Sequence, residues 1–208
     1  MSTIDGVHSA YVHNRRVEML RSHLSALIPS NSSVLDVGCG DGLLAKRIKD
    51  TRPDIQIEGV DVLIRPETWI PVAPFDGSKL PCPDSSFDVV MFVDVLHHTD
   101  EPRILLSEAK RVSKKYILIK DHTEEGLLAY STLRFMDWVG NAKHGVSLPY
   151  NYWRESKWKE AINDLRLSIN SWISKLRLYP LPFDWIFGRS LHFIALFEKG
   201  TTSSARDF

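Results

Sequence analysis

The sequence is poor in several things. It has two cysteines in 208 residues. Cys39 and Cys82 show no metal-ligand spacing, so neither a disulfide framework nor a cysteine-built metal centre is expected. It has no excess charge: 26 Lys and Arg balance 26 Asp and Glu, which leaves no overall field to draw in nucleic acid. It also lacks long apolar runs. No stretch approaches transmembrane length, and the N-terminus has no apolar signal-peptide core, so a cytoplasmic address is expected. No internal repeat or linker divides the chain. A single domain over 1–208 is therefore expected, with a polar tail at 200–208. Hydrophobic residues make up 43%, enough for one α/β core at this length.

One stretch carries most of the information. Ser33-Val34-Leu35-Asp36-Val37 reads as a short buried strand, Gly38-Cys39-Gly40-Asp41-Gly42 as a tight turn, and the residues from Leu43 as a helix. That is the first half of a βαβ unit. A dinucleotide turn needs G-x-G-x-x-G. Here the spacing is Gly38-x-Gly40-x-Gly42, and Leu43 stands where the third dinucleotide glycine belongs. Asp36 and Asp41 flank the turn; a carboxylate repels a pyrophosphate and attracts an ammonium. S-adenosylmethionine (SAM) has no phosphate but has an ammonium, a sulfonium and a ribose. The acids favour it over NAD.

At this point Asp36–Gly42 resembles the first motif of the class I SAM-dependent methyltransferases. A second stretch supports the resemblance: an acidic loop at Asp76-Gly77, then Leu80-Pro81, a turn at 84–86, and Phe87-Asp88-Val89-Val90. Val95-Leu96-His97-His98 is a third, similar to a segment common in small-molecule methyltransferases of this class. The resemblance implies a doubly wound α/β fold: a mostly parallel seven-stranded sheet, an antiparallel last strand, and helices on both faces. It implies SAM as cofactor, held by the turn residues Gly38, Cys39 and Gly40 above Asp36. Asp61, about 20 residues beyond the turn with Val62 beside it, is the acid expected on the ribose hydroxyls. Asp76 and Gly77 are expected at the adenine, and Asp94 and Val95 at the methionyl end.

The periodicity fills in the rest. Residues 9–28 read as an amphipathic helix with Val17, Leu20, Leu24, Leu27 and Ile28 on one face, stopped by Pro29. In the family this helix is a lid, and Tyr11 and Arg16 are then expected at the methionine carboxylate. One helical turn is expected around Glu67-Thr68-Trp69, a strand at 88–93, a strand at 116–120 and a helix from Glu124 to Val139. The family's insertion after the fifth strand, 124–155, is expected to form an aromatic, closed acceptor pocket with Trp138, His144, Tyr150 and Tyr152. The alternative for Phe135 and Trp138 is the core face of a packed helix. The apolar connection 179–187 covers the core, lines the pocket, or meets a partner or membrane surface.

Three histidines are candidates for chemistry: His122, then His98 and His97. His122 follows the fifth strand, and an imidazole that titrates near neutral pH can take a proton from an acceptor. No metal is expected, because adjacent histidines on an extended segment point apart and no third ligand is evident. The function read from all this is methyl transfer from SAM to a small-molecule or lipid-like acceptor. Two other readings remain: a SAM-binding regulator or subunit without turnover, and a NAD-dependent oxidoreductase, which the glycine spacing and Asp36 oppose.

Overall fold

A computed structural model describes residues 3–141 and 149–200, with side chains from residue 14 and excluding 140 and 141. Its centre is one seven-stranded sheet. The strands are β1 (Ser33–Val37), β2 (Gln56–Asp61), β3 (Val72–Pro74), β4 (Phe87–Val93), β5 (Ser113–His122), β6 (Leu167–Ile173) and β7 (His192–Lys199). They lie in the order β3-β2-β1-β4-β5-β7-β6. Six run parallel. β7 lies between β5 and β6 and is antiparallel to both. The strand order reverses between β1 and β4, where an open α/β sheet leaves a crevice at its carboxyl edge.

The sheet is covered on both faces because its strands alternate. Leu35, Val90, Phe92, Ile117, Ile119 and Phe193 point to one face. There they meet α3 (Pro102–Val112) and α5 (Glu155–Asp164) through Leu105, Leu106, Ala109, Trp158 and Ile162. Val34, Val89, Met91, Leu118 and Ile194 point to the other. There they meet α1 (Thr3–Leu27) and α2 (Leu43–Thr51) through Leu20, Leu24, Ala45 and Ile48. Strands buried on both faces read as continuous apolar runs, which is why β4 and β5 stand out in the sequence. The two remaining helices, α4 (Ala129–Asn141) and the short α6 (Asp184–Phe187), lie off the sheet. Among the described residues no helix is long and apolar enough to cross a membrane.

Several local expectations are corrected. α1 begins at Thr3, six residues before its expected start. No helical turn forms at 67–69; the Trp69 N–H instead donates to the Asp41 carbonyl at 2.8 Å, tying this segment to the glycine turn. α4 starts at Ala129, not Glu124. Gly126 and Leu128 both have positive φ (90° and 61°), which a right-handed helix cannot contain. β5 is longer than expected and carries Lys120, Asp121 and His122 inside the strand. The tail beyond 200 lies outside the described residues.

Candidate functional site

Two cavities lie side by side at the carboxyl edge of the sheet. The larger, about 750 Å³, is bounded by α1 through Arg16, Val17 and Leu20, by the glycine turn with Asp36, and by residues 65–67. The smaller, about 190 Å³, is lined by His97, His98, His122, Met136, Asp137 and Tyr179. Arg16 and Asp94 belong to both walls.

One wall of the larger cavity is the glycine turn. Gly38 has φ +73°, and a Cβ there would come within 2.5 Å of Val95 Cγ2. Its N–H donates to the Val60 carbonyl at 2.7 Å, locking the turn onto β2. Gly40 has φ +61° and faces open space: a Cβ there would meet nothing within 4 Å. Its N–H donates to Asp61 Oδ2 at 2.8 Å, and Asp61 Oδ1 accepts from Leu63 N at 2.8 Å. Asp61 thus ties the glycine turn to the turn after β2. Asp36 is buried beneath the cavity and accepts no hydrogen bond from the described residues. Burial, with Asp61 nearby, pushes its pKa up to about 7. A cation placed above it would restore its charge. The Cys39 sulfur packs against Gly59, and burial raises its pKa well out of the reactive range.

Val62, Asp76 and Gly77 gather beyond Asp61, outside the wall of the larger cavity. Val62 and Asp76 are exposed, and a Cβ at Gly77 would lie 3.4 Å from Val62 Cγ1. Asp76 Oδ1 accepts from the backbone of Ser78 and Lys79 at 2.8 and 2.7 Å, so the acid shapes its own loop. The Tyr11 side chain lies outside the described residues.

The smaller cavity is made of charged and polar side chains. Asp94, just past β4, has φ +57°, a rare conformation for a residue with a Cβ and one that recurs at functional sites. Its carboxylate accepts from Arg16 Nη2 and from Lys120 Nζ. Burial would raise the Asp94 pKa, but Lys120 and Arg16 outweigh it and hold it well below the usual range. Lys120 is fully buried, and burial lowers its pKa against the pull of Asp94. Asp121 is spent on structure. Its Oδ2 accepts from Leu96 N at 3.0 Å, and its Oδ1 from His122 N at 2.7 Å and from His97 Nδ1 at 2.6 Å. The bond to His97 Nδ1 leaves Nε2 facing Asp137 Oδ2 at 3.3 Å. Burial acts to lower the His97 pKa, but Asp121 and Asp137 push it up to about 10.

His122 Nδ1 faces the Leu191 carbonyl at 3.3 Å. Its Nε2 stands 3.3 Å from Asp94 Oδ1 and 3.9 Å from Asp137 Oδ1. Burial, then Lys120 and His97, drive its pKa well below the ordinary value. The near-neutral titration expected for His122 is therefore corrected: this imidazole stays neutral. Burial, and next His97, also lowers His98.

The expectation for the histidine pair is corrected too. Leu96–His98 forms one 3₁₀ turn, not an extended segment, and the His97 and His98 rings lie 4.0 Å apart. Carboxylates remote in sequence join them: His97, His98 and Asp137 form one group with potential ligand atoms within 4.8 Å, and His97, Asp121 and His122 another. The aromatic pocket is corrected as well. Trp138 is 57% exposed and Phe135 is exposed beside it, so neither lines the pocket nor forms a core face. The buried face of α4 carries Leu133 and Asp137 instead. Tyr150 lies outside the pocket, with the Arg134 guanidinium 5.1 Å from its ring centre. Tyr152 is buried and donates its hydroxyl to Asp137 Oδ2, fixing that carboxylate. His144 lies outside the described residues.

Sequence reasoning named the segments that hold Asp137, Met136 and Tyr179 but did not single out these residues, nor Lys120 and Asp121, as site residues. One signal was available. Lys120-Asp121-His122 directly follows the continuous apolar run Ile117-Leu118-Ile119, and charged residues inside a buried strand must find partners. Nothing local tells Asp137 or Tyr179 apart from its neighbours in those segments.

A family model described as a methyltransferase domain matches residues 11–167. An uncharacterized methyltransferase of Mycobacterium tuberculosis is 38% identical over 92 residues, 40% of this chain and 47% of that protein. The chain thus spans about half the length of the curated relatives it matches. The 2-methyl-6-phytyl-1,4-hydroquinone methyltransferase of Synechocystis is 28% identical over 145 residues, 65% of this chain and 41% of that protein. Among solved structures, a SAM-dependent methyltransferase from Thermotoga maritima superposes with a TM-score of 0.63 at 17% identity, covering 94% of this chain and 95% of that one.

Proposed function

The chain belongs to the SAM-dependent methyltransferases, and from that membership we propose that it methylates a small molecule whose reacting group is polar. The observation that carries this reading is the junction of the two cavities at Arg16 and Asp94. One cavity fits the methyl donor and the other fits the nucleophile.

The residues present fit SAM. Gly40 leaves a cradle that any Cβ would fill, and Asp36 offers a buried carboxylate without a donor. When bound, SAM supplies an electrophilic methyl group on a sulfonium. Asp36 would hold its ammonium, Gly38 and Gly40 would let it lie against the backbone, and Asp61 would accept from the ribose while bracing the turn. Asp76 and Gly77 are proposed at the adenine, with Val62 and Val95 packing beside the ligand. Arg16 borders both cavities and is proposed for the methionine carboxylate; Tyr11 is proposed there from the family resemblance alone.

On the other side, a cavity of about 190 Å³ admits the head of an acceptor. Its wall is polar, which favours a hydroxyl, amine or thiol. His122 is assigned the base. Its neutral imidazole presents Nε2 to the cavity, and Asp94 at 3.3 Å would stabilise the imidazolium formed. His97 and His98 complete the wall. That a hydroquinone is the acceptor named for one relative supports a small-molecule acceptor.

The test is formation of S-adenosylhomocysteine from SAM with a panel of small hydroxyl, amine and thiol acceptors. Turnover with one class is expected. SAM binding without turnover on any of them would favour the regulator reading, and tighter binding of NAD than SAM would defeat both. His122→Ala should lower turnover by about 10²–10⁴-fold, the usual contribution of a positioned base, and leave SAM affinity unchanged in calorimetry.

A further inference from the structure

We propose that His97, His98 and Asp137 form a binding site for one divalent transition-metal ion of the zinc class. The argument starts from two nitrogens. His98 Nδ1 is buried without a hydrogen-bond partner among the described residues, and His97 Nε2 has only the Asp137 carboxylate, 3.3 Å away. Buried imidazole nitrogens are normally satisfied, so the bare His98 Nδ1, on a ring that touches His97, points to a missing partner. A divalent cation would accept its lone pair and take the place of the proton that His97 shares with Asp137. His97 Nδ1 is committed to Asp121 Oδ1 at 2.6 Å, which fixes the tautomer and leaves Nε2 as the ligand atom.

The third ligand stands opposite. Asp137 Oδ2 lies 3.3 Å from His97 Nε2, and the ligand atoms of all three residues lie within 4.8 Å of one another. Ligands about 2.1 Å from a tetrahedral ion stand roughly 3.4 Å apart, so modest side-chain rotation closes the set. The supporting shell is already built. Asp121 orients His97, and the Tyr152 hydroxyl orients Asp137. Carboxylate-held histidine is the usual outer shell of a histidine-ligated metal. Three protein ligands leave a fourth position, and it faces the smaller cavity, as in a catalytic rather than a closed structural site.

The role of the ion rests on the methyl-transfer reading; the site itself does not. An acceptor hydroxyl or thiol in the fourth position would be held as its anion, with its proton passed to Nε2 of His122. That anion is the nucleophile the reaction needs.

Chelator-treated, untagged full-length chain titrated with Co²⁺ tests the site by visible absorption. One equivalent should bind and give the intense bands of a four-coordinate ion, and Zn²⁺ should displace it. His98→Ala and Asp137→Asn should each weaken binding at least about 100-fold, and Tyr152→Phe about tenfold, the range for ligand and outer-shell loss. His23→Ala, a histidine hydrogen-bonded to the Leu176 carbonyl away from this cluster, should change nothing. Wild-type chain that gives no such spectrum overturns the proposal, and so does undiminished binding by the folded His98 and Asp137 variants. If those variants do not fold, the wild-type spectrum alone decides. SAM calorimetry on the same chelated sample separates the two readings: SAM binding without a Co²⁺ spectrum sinks the metal site and leaves the methyltransferase reading standing.

Discussion

The two cavities share a wall and are built by opposite means. The larger is shaped by backbone: glycines with positive φ, N–H groups donating to Val60 and Asp61, and one buried carboxylate beneath. Most of its parts come from two short stretches, 36–44 and 65–67. The smaller is shaped by side chains drawn from α1, the end of β4, the 3₁₀ turn, β5, α4 and Tyr179. Its charges compensate one another: Arg16 and Lys120 on Asp94, His97 between Asp121 and Asp137. A backbone cradle tolerates many side-chain changes but few at its glycines. A side-chain cluster with buried charge fails when any partner is removed.

The comparison can be broken at several points. The largest effect is expected at Lys120. Lys120→Met leaves Asp94 buried with one cation instead of two and should cost about 3 kcal/mol of stability in urea unfolding, the low end for breaking a buried pair. The folded fraction should still bind SAM with wild-type affinity. A variant as stable as wild type would mean that the Asp94 cluster is not held by charge.

Gly40→Val is next. It should weaken SAM binding about 100-fold or more, roughly 2.7 kcal/mol, with an unchanged circular dichroism spectrum. The side chain fills the open cradle and resists φ +61°. Normal affinity in the folded variant would remove the cradle assignment.

A smaller and graded effect belongs to Asp36. Its folded pKa is raised to about 7, so below pH 7 it carries a proton. An ammonium binds the ionised form, so SAM binding must expel that proton. Affinity should therefore rise with pH, by at most about tenfold per unit, and level off above about 7. It should fall again as the ligand's own α-amine loses its proton near pH 8. Asp36→Asn should flatten the lower limb. Calorimetry in buffers of different ionisation enthalpy would detect the released proton; a flat profile in wild type would place the ammonium elsewhere.

The smallest effect sharpens the contrast from the other side. Trp138→Ala should change stability by less than about 0.5 kcal/mol and leave acceptor KM unchanged, because the ring is exposed and outside both cavities. A raised KM would return α4's aromatic face to the acceptor site.

The sequence by itself determined the sheet and the glycine turn that walls the larger cavity. β1, the glycine turn and α2 are contiguous, and a strand–turn–helix writes its requirements into neighbouring residues: glycine where φ must be positive, apolar residues where a strand is buried on both faces. The fifth strand was legible for the same reason, and so was the family. Only the tertiary structure decided the smaller cavity. Asp137 sits between half-buried Met136 and exposed Trp138, four residues after buried Leu133, and nothing local to the helix explains why an acid should take that inward position. It does so because Tyr152 and His97, 15 and 40 residues away, supply its hydrogen bond and its counter-charge. His122 sits in a segment that looked open, yet antiparallel pairing with His192 in β7 extends the strand over it and buries it. Burial, and with it the charge state of every histidine in the cluster, depends on pairings across many tens of residues. No window of sequence contains them.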